Sequence, residues 1–302
     1  MGTGCSNSPG ELENNTVITP EEEAYILAQA SVPEHIVSLM TLISKGDPFL
    51  IEDHLGLVKD NWLIFIGYPL AGAFLRERCE RIVQQVVATF RPGYLWFIGP
   101  EIPPSLLNVC TERQTDQYYL FDIERTKPKS SLQRLAGNAR KELTVERSRS
   151  ISEEHGALIK ELLKRERLPE RVRELYRAMP NYLGHSSSAW SLNARDSRGN
   201  LCAFTVVELG AKDFSAYILG SHSKKHYVPH ASDLLFLEMI NLTREQGKNT
   251  IDLGLGVNQG IRQFKEKWGG TPFLGYEFCE CRYAATKKVS LIDALLGRYG
   301  HP

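Results

Sequence analysis

The chain has 302 residues, 36 Lys plus Arg against 36 Asp plus Glu, and a hydrophobic share of 42%. That balance excludes a disordered chain, a collagen-like repeat and a disulfide scaffold, and the length favours two domains over a single core. The zero net charge hides a split at Asp122: residues 1–122 carry 7 basic and 16 acidic side chains, and the remainder is correspondingly basic. Either the second half meets an anionic partner such as phosphate or RNA, or the halves complement each other.

Six cysteines (Cys5, Cys79, Cys110, Cys202, Cys279, Cys281) are scattered with no CxxC pair, which points to a reduced, cytoplasmic protein without a zinc or redox motif. No apolar run approaches the roughly 18 residues of a membrane span, so none is expected. Met1-Gly2-Thr3-Gly4-Cys5-Ser6 matches the N-myristoylation pattern beside a palmitoylatable cysteine, but residues 1–15 read first as a disordered tail.

Thr19-Pro20-Glu21-Glu22-Glu23 combines an N-cap, a first-turn proline and first-turn acids, and predicts a helix. Ile51 to Val58 and Asn61 to Tyr68 read as strands, followed by a helix from Leu75 to Phe90 that Pro92-Gly93 ends and a buried strand from Tyr94 to Ile98. Prolines at 100, 103 and 104 oppose a regular helix, and Gln117 to Ile123 is the next strand. Arg125 to Arg149 holds eight basic residues against Glu142 and Glu146, and reads as a basic connecting helix or a solvated linker.

A strand at Thr144 to Val145 precedes a helix capped at Ser152 and broken by Pro169. Trp190 to Ala194, Ala203 to Leu209 and Ser215 to Leu219 form a meander; Ser232 then caps a helix closed by Gly247, and Thr250 to Leu253 is a buried strand. The helix and strand ending at Phe90 and Ile98 echo those ending at Gln246 and Leu253. A last amphipathic helix spans Val289 to Tyr299 and suits docking.

The informative segment is Asp252-Leu253-Gly254-Leu255-Gly256, then Asn258, Gly260 and a short basic helix with Arg262, Phe264 and Lys265. Its glycines mark close backbone approach, and the helix start suits a carboxylate or a developing negative charge. Position 259 is Gln and the last glycine stands at 260, so the dinucleotide fingerprint is absent. Asp252, Gly254 and Tyr217 also have ordinary readings as strand-end cap, tight turn and core aromatic. His222, His226 and His230 are four apart, but Pro229 opposes one helical face and no ligand set emerges, so no metal is expected. His222, directly after the strand through Tyr217 and Ser221, is the candidate general base. Lys224, Lys225, Tyr227 and Ser232 complete the candidate donor-binding loop.

The run IDLGLGVNQGIRQFKEKWGG, residues 251–270, resembles the closing motif of the FemAB-like branch of the GNAT acyltransferase superfamily, and Leu132 to Lys141 is similar to the segment joining that family's two halves. The resemblance implies an α/β chain of the α+β type with two GNAT-like mixed sheets flanked by helices. Its expected divisions are a tail at 1–15, a first half at 16–123, a basic connector at 124–143, a catalytic half at 144–285 and a docking helix at 286–302. It implies an N-acyltransferase moving an acyl or aminoacyl group to a primary amine, with Lys265 polarising the carbonyl and Phe264 walling its helix. The alternative for Lys265 is a solvated helix face shared with Glu266 and Lys267. The expected donor is aminoacyl-tRNA, an acyl-carrier or acyl-CoA as a cosubstrate, with no tightly bound cofactor. The connector offers Arg134, Arg140 and Lys141 to a tRNA. The glycine loop that holds a CoA pyrophosphate in acetyl-CoA-dependent relatives is replaced here by residues 222–232, which disfavours CoA. Rival expectations are an acyl-CoA-dependent N-acetyltransferase and a catalytically idle GNAT-fold binding module.

Overall fold

A computed structural model describes residues 18–168 and 170–283. The expected tail with its lipidation pattern and the helix at Val289 to Tyr299 lie outside them. The described residues divide into two compact units, residues 18–116 with 275–283 and residues within 117–274.

The first unit opens with α1 (Pro20–Gln29), where Thr19 Oγ1 accepts the Glu22 N–H at 3.2 Å and the Glu22 carboxylate accepts the Thr19 N–H at 2.8 Å. After α2 (Val37–Ser44) come β1 (Asp47–Ile51), β2 (His54–Lys59) and β3 (Trp62–Ile66) as an antiparallel meander. The expected single strand from Ile51 to Val58 is thus the end of one strand, a turn with Glu52 at φ 51°, and a second strand. Then α3 (Arg76–Phe90) packs Cys79, Ile82, Val83 and Val86 on the sheet, and β4 (Tyr94–Gly99), wholly buried, pairs parallel to β3. The short α4 (Pro104–Leu107) precedes β5 (Cys110–Asp122).

The second unit contains α5 (Ser130–Glu142), β6 (Leu143–Ser148), α6 (Glu153–Arg165) and α7 (Glu170–His185), then the meander β7 (Ala189–Asp196), β8 (Leu201–Glu208) and β9 (Phe214–His222). It continues with α8 (Ala231–Glu245), β10 (Thr250–Leu255) and α9 (Gln259–Trp268), and β11 (Thr271–Arg282) follows. Two helices, three antiparallel strands, helix, strand, helix and strand therefore occur twice, from α1 to β5 and from α6 to β11. The α3–β4 and α8–β10 pairs are the echo legible in the sequence.

The last strands of the two repeats are exchanged. Residues 118–122 of β5 lie antiparallel to β10, and residues 277–282 of β11 lie antiparallel to β4. The chain accordingly changes unit inside β5 and inside β11, whereas the sequence placed the changes at 123/124 and 285. The basic helix α5 belongs to the second unit: Leu132, Ala136 and Ala139 form a buried stripe against the core while its charges stay outside.

His35, fully buried in the first unit, has its Nδ1 accepting the Ser31 N–H at 3.2 Å and its Nε2 set 3.1 Å from the Tyr68 carbonyl. Nδ1 must be unprotonated to accept, so the ring is neutral with its proton on Nε2. Burial, against the Tyr68 bond and together with the nearby His54, lowers its pKa to about 4. A histidine whose folded pKa is depressed gives stability that is present above the unfolded value of 6.5 and is lost as pH falls towards the folded value. The shift corresponds to about 3 kcal/mol. Urea titrations between pH 7 and pH 4 should lose stability on this order, and His35→Gln should flatten that slope.

Candidate functional site

The site is built on the one parallel strand pair that each repeat contains. In the first unit β3 and β4 remain paired along their whole length, from Trp62 opposite Tyr94 to Ile66 opposite Ile98, and the Gly67 N–H continues to the Ile98 carbonyl at 2.6 Å. The Phe97 ring fills the end of this pair. A Cβ placed on Gly67 or on Gly99 would come within 2.5 or 2.6 Å of that ring, so both glycines are required by its packing. That mouth is closed.

In the second unit β9 and β10 pair only at Phe214–Thr250, Ser215–Ile251 and Ala216–Asp252. Beyond Ala216, β9 bulges against β8 between Val206 and Val207 and runs on to His222, while β10 shifts register against β5 after Asp252. The strands part, and backbone groups of both edges face the opening between them. Gly254 stands at this fork with φ 70°, its N–H held by Asp252 Oδ1 at 2.6 Å. The carboxylate thus fixes the left-handed turn that a side-chain-bearing residue would resist.

Lys265 reaches the fork from α9. It is only 4% exposed, its Nζ donates to the Leu255 carbonyl at 2.5 Å, and it lies 5.5 Å from the Tyr119 ring centroid. A Cβ on Gly254 would sit 3.7 Å from the Tyr217 carbonyl oxygen and 4.0 Å from Lys265 Nζ, so the absent side chain keeps the space between strand edge and ammonium free. The reading of Lys265 as part of a solvated face with Glu266 and Lys267 is overturned. An ammonium with three donors, placed where a carbonyl can enter between two strands, can stabilise charge growing on the carbonyl oxygen.

Two arrangements hold α9 in place. Asn258 caps it, with Oδ1 accepting the Ile261 N–H at 2.9 Å. The buried Asp233, in the first turn of α8, accepts Lys267 Nζ at 2.6 Å and Trp268 Nε1 at 2.8 Å on Oδ1, and Oδ2 lies 3.0 Å from His230 Nδ1. Burial pushes the Asp233 pKa up, but these hydrogen bonds outweigh it and hold the carboxyl below its ordinary range. Phe264 packs edge-on to Phe236 at 5.8 Å, which makes it the wall of the helix. Sequence reasoning gave Asp233 no place among the site residues, because its partners on α9 are 34 and 35 residues away.

The remaining expected residues are distributed along β9 and the following loop. Tyr217 is half-buried at the fork, and burial drives its phenol well above its ordinary pKa, so it stays protonated. Ser221 is buried and faces α6, 3.4 Å from the Leu158 carbonyl. His222 lies five residues beyond Tyr217, roughly 16 Å along the strand, and its pKa is lowered by burial and then by Arg165. That spacing from the fork exceeds the hydrogen-bond reach that a general base at this carbonyl needs. Ser232 is not the helix cap: His230, at φ 65°, occupies that position, and Ser232 is the second residue inside α8. Gly256 accepts the Asn258 N–H at 2.6 Å, and Arg262 is exposed on α9. Among the described residues no group of three or more His, Cys, Asp or Glu side chains is placed to hold a metal ion, and no helix is long and apolar enough to cross a membrane.

No family model matches the chain, and no curated protein matches it. Solved structures do. FemX superposes with a TM-score of 0.58 at 12% identity, covering 85% of this chain and 94% of that one. The C-terminal domain of a putative lysylphosphatidylglycerol synthetase from Agrobacterium fabrum superposes with a TM-score of 0.57 at 17% identity, covering 96% of both chains. A tandem GNAT protein from the clavulanic acid biosynthesis pathway gives a TM-score of 0.54 at 12% identity, covering 90% of this chain and 98% of that one. The chain has a tandem GNAT fold. Within that fold the first GNAT unit has a sealed parallel pair and the second an open one, so the fork with Lys265 belongs to the second GNAT unit alone.

Proposed function

We propose that the second GNAT unit transfers an acyl or aminoacyl group from an activated ester or thioester to a primary amine, as a cytoplasmic N-acyltransferase. The observation that carries this reading is the fork between β9 and β10 with the Lys265 ammonium inside it, set against the closed equivalent in the first unit. The fold neighbours named FemX and lysylphosphatidylglycerol synthetase are consistent with such chemistry.

The amine lone pair attacks the carbonyl carbon and the C=O π pair moves to oxygen, where Lys265 Nζ stabilises it. Collapse breaks the C–O or C–S bond, and the amine proton leaves through water to the departing group. No covalent enzyme intermediate is needed. Tyr217 keeps its proton and its hydroxyl lies buried against Gly220, further along β9, so only its backbone carbonyl borders the fork. The donor preferred is tRNA- or carrier-linked, because loop 223–230 has no glycine to wrap a pyrophosphate. Arg134 and Lys141 stand exposed on α5 for an anionic donor, while Arg140 is turned towards Glu238 at 3.5 Å.

The test is a transfer assay with labelled aminoacyl-tRNA, acyl-carrier protein and acyl-CoA as donors and an amine panel as acceptors. Transfer that falls in Lys265→Ala supports the reading. Donor binding without transfer, unchanged in Lys265→Ala, would make the chain a binding module instead.

A further inference from the structure

Strand β5 is the last strand of the first repeat, yet its residues 118–122 belong to the second unit and pair with β10. The register runs from Leu120 opposite Asp252 to Tyr118 opposite Leu255, so Tyr119 alone faces the two residues Leu253 and Gly254. The bulge that carries Gly254 is therefore formed against Tyr119. Tyr119 is buried in the core of the second unit. Its ring face lies towards the Lys265 ammonium, with Nζ 5.5 Å from the ring centroid, and its hydroxyl donates to Glu266 Oε1 at 3.4 Å. One side chain of β5 thus meets two consecutive residues of α9, the first through its face and the second through its tip.

An ammonium on a flexible four-carbon stem is poorly placed by its own chain, and a buried one needs negative potential around it. The Leu255 carbonyl supplies that potential from β10. The π face of Tyr119 supplies it from β5, by an attraction that grows where water is excluded. The hydroxyl bond to Glu266 ties the ring to the helix that carries the lysine. We propose that Tyr119 is a positioning residue for the transfer step, its ring face holding the Lys265 ammonium at the fork. The first repeat, through its exchanged strand, then supplies a side chain on which the chemistry of the second unit depends. This rests on the acyl-transfer reading and adds to it a residue that acts through Lys265. Placement matters at this point because a shift of about 1 Å at a reacting centre can cost on the order of 100-fold in rate.

The test measures single-turnover transfer, donor affinity and thermal midpoint on the same samples. The variants are Tyr119→Leu, Tyr119→Phe, and phenylalanine analogues with one, two and three ring fluorines placed at position 119 by codon suppression. Each fluorine draws charge from the ring face while barely changing its size. Tyr119→Leu should slow transfer by about 5-fold to 30-fold with the donor Kd unchanged. Tyr119→Phe should restore most of that rate, and log rate should fall in step with the number of fluorines while the midpoints of the ring variants stay together. Equal rates across the fluorine series overturn the proposal, as does a Tyr119→Leu loss that vanishes when rates are expressed per folded molecule. A readout independent of turnover is the side-chain proton signal of Lys265 in lysine-labelled protein, assigned by its disappearance in Lys265→Arg. It should be shifted upfield by the ring in wild type and lose that shift in Tyr119→Leu. A Tyr119-dependent shift without transfer of any donor would sink only the acyl-transfer reading, and transfer indifferent to the fluorines only the positioning role.

Discussion

Lys265→Ala should lower the single-turnover rate of acyl transfer by about 100-fold to 1000-fold, the loss of about 2.7–4 kcal/mol that follows removal of one donor from a developing oxyanion. The dissociation constant of the donor should change far less. A contact formed mainly in the transition state raises kcat, whereas contacts made equally in ground and transition states act on KM. Lys265 has the geometry for the first kind: it is buried, anchored to the Leu255 carbonyl, and set beside the space that Gly254 leaves empty. Lys265→Arg should restore little, because a planar guanidinium does not replace a compact ammonium in an enclosed site. Rates and donor binding measured on the same samples check both parts. A tenfold weaker donor affinity with an unchanged single-turnover rate would make Lys265 a binding residue.

The second large effect concerns the exchanged strands. A fragment of residues 124–302, cut where charge and turn signals place the domain change, should show no cooperative thermal transition. It lacks residues 118–122, the antiparallel neighbour of β10. It also lacks Tyr119, Phe121 and Ile123, which are buried in the core formed with α5, α8 and the strands of the second unit. Removing one such aromatic side chain typically costs about 3–5 kcal/mol, and each buried backbone group left without a partner about 1–3 kcal/mol. Two such rings and the unpaired backbone groups together are of the size of the roughly 5–15 kcal/mol that stabilises a domain. Residues 277–282, which in the full chain pair with β4, would be orphaned as well. Co-expression of 1–123 with 124–302 should restore a melting transition if the two pieces exchange strands. A fragment melting cooperatively within about 5 °C of the full chain would contradict this reading.

These results separate what local sequence reveals from what only the folded chain reveals. Helices α1, α3 and α6 were legible because caps, prolines and apolar spacing act within one helix, and Ser152 and Thr19 cap as their sequence suggests. Strand β11 was not, because Pro272, Gly275 and its two glutamates depress strand propensity while its buried residues meet partners far along the chain. Strand β1 was hidden by Pro48, which the edge of a sheet tolerates. Helix α7 carries Pro180, which argues against a helix on local grounds.

The site divides in the same way. Lys265, Phe264 and Gly254 were readable as a motif, since they lie on one strand, turn and helix. Tyr119 and Asp233 were not, because each meets α9 only through tertiary packing. Ser232 was misplaced by two residues, because His230 adopts a left-handed conformation that residue preference assigns to glycine or asparagine. His222 had the right side chain for a base and the wrong distance. What distinguishes the two units, the length of one parallel pairing, has no sequence signature apart from Phe97 and the glycines around its ring.

On the proposed acyl-transfer reading, the donor's reacting end enters the fork of the second unit and not the matching position of the first. Amide hydrogen exchange of the full chain, with and without saturating acetyl-CoA and, separately, a charged CCA-ended microhelix, tests it most directly. With the donor that binds, protection should rise in residues 216–222 and 253–265 and remain unchanged in residues 62–67 and 94–99. Protection that appears at β3 and β4, with the fork unaffected, would contradict the account.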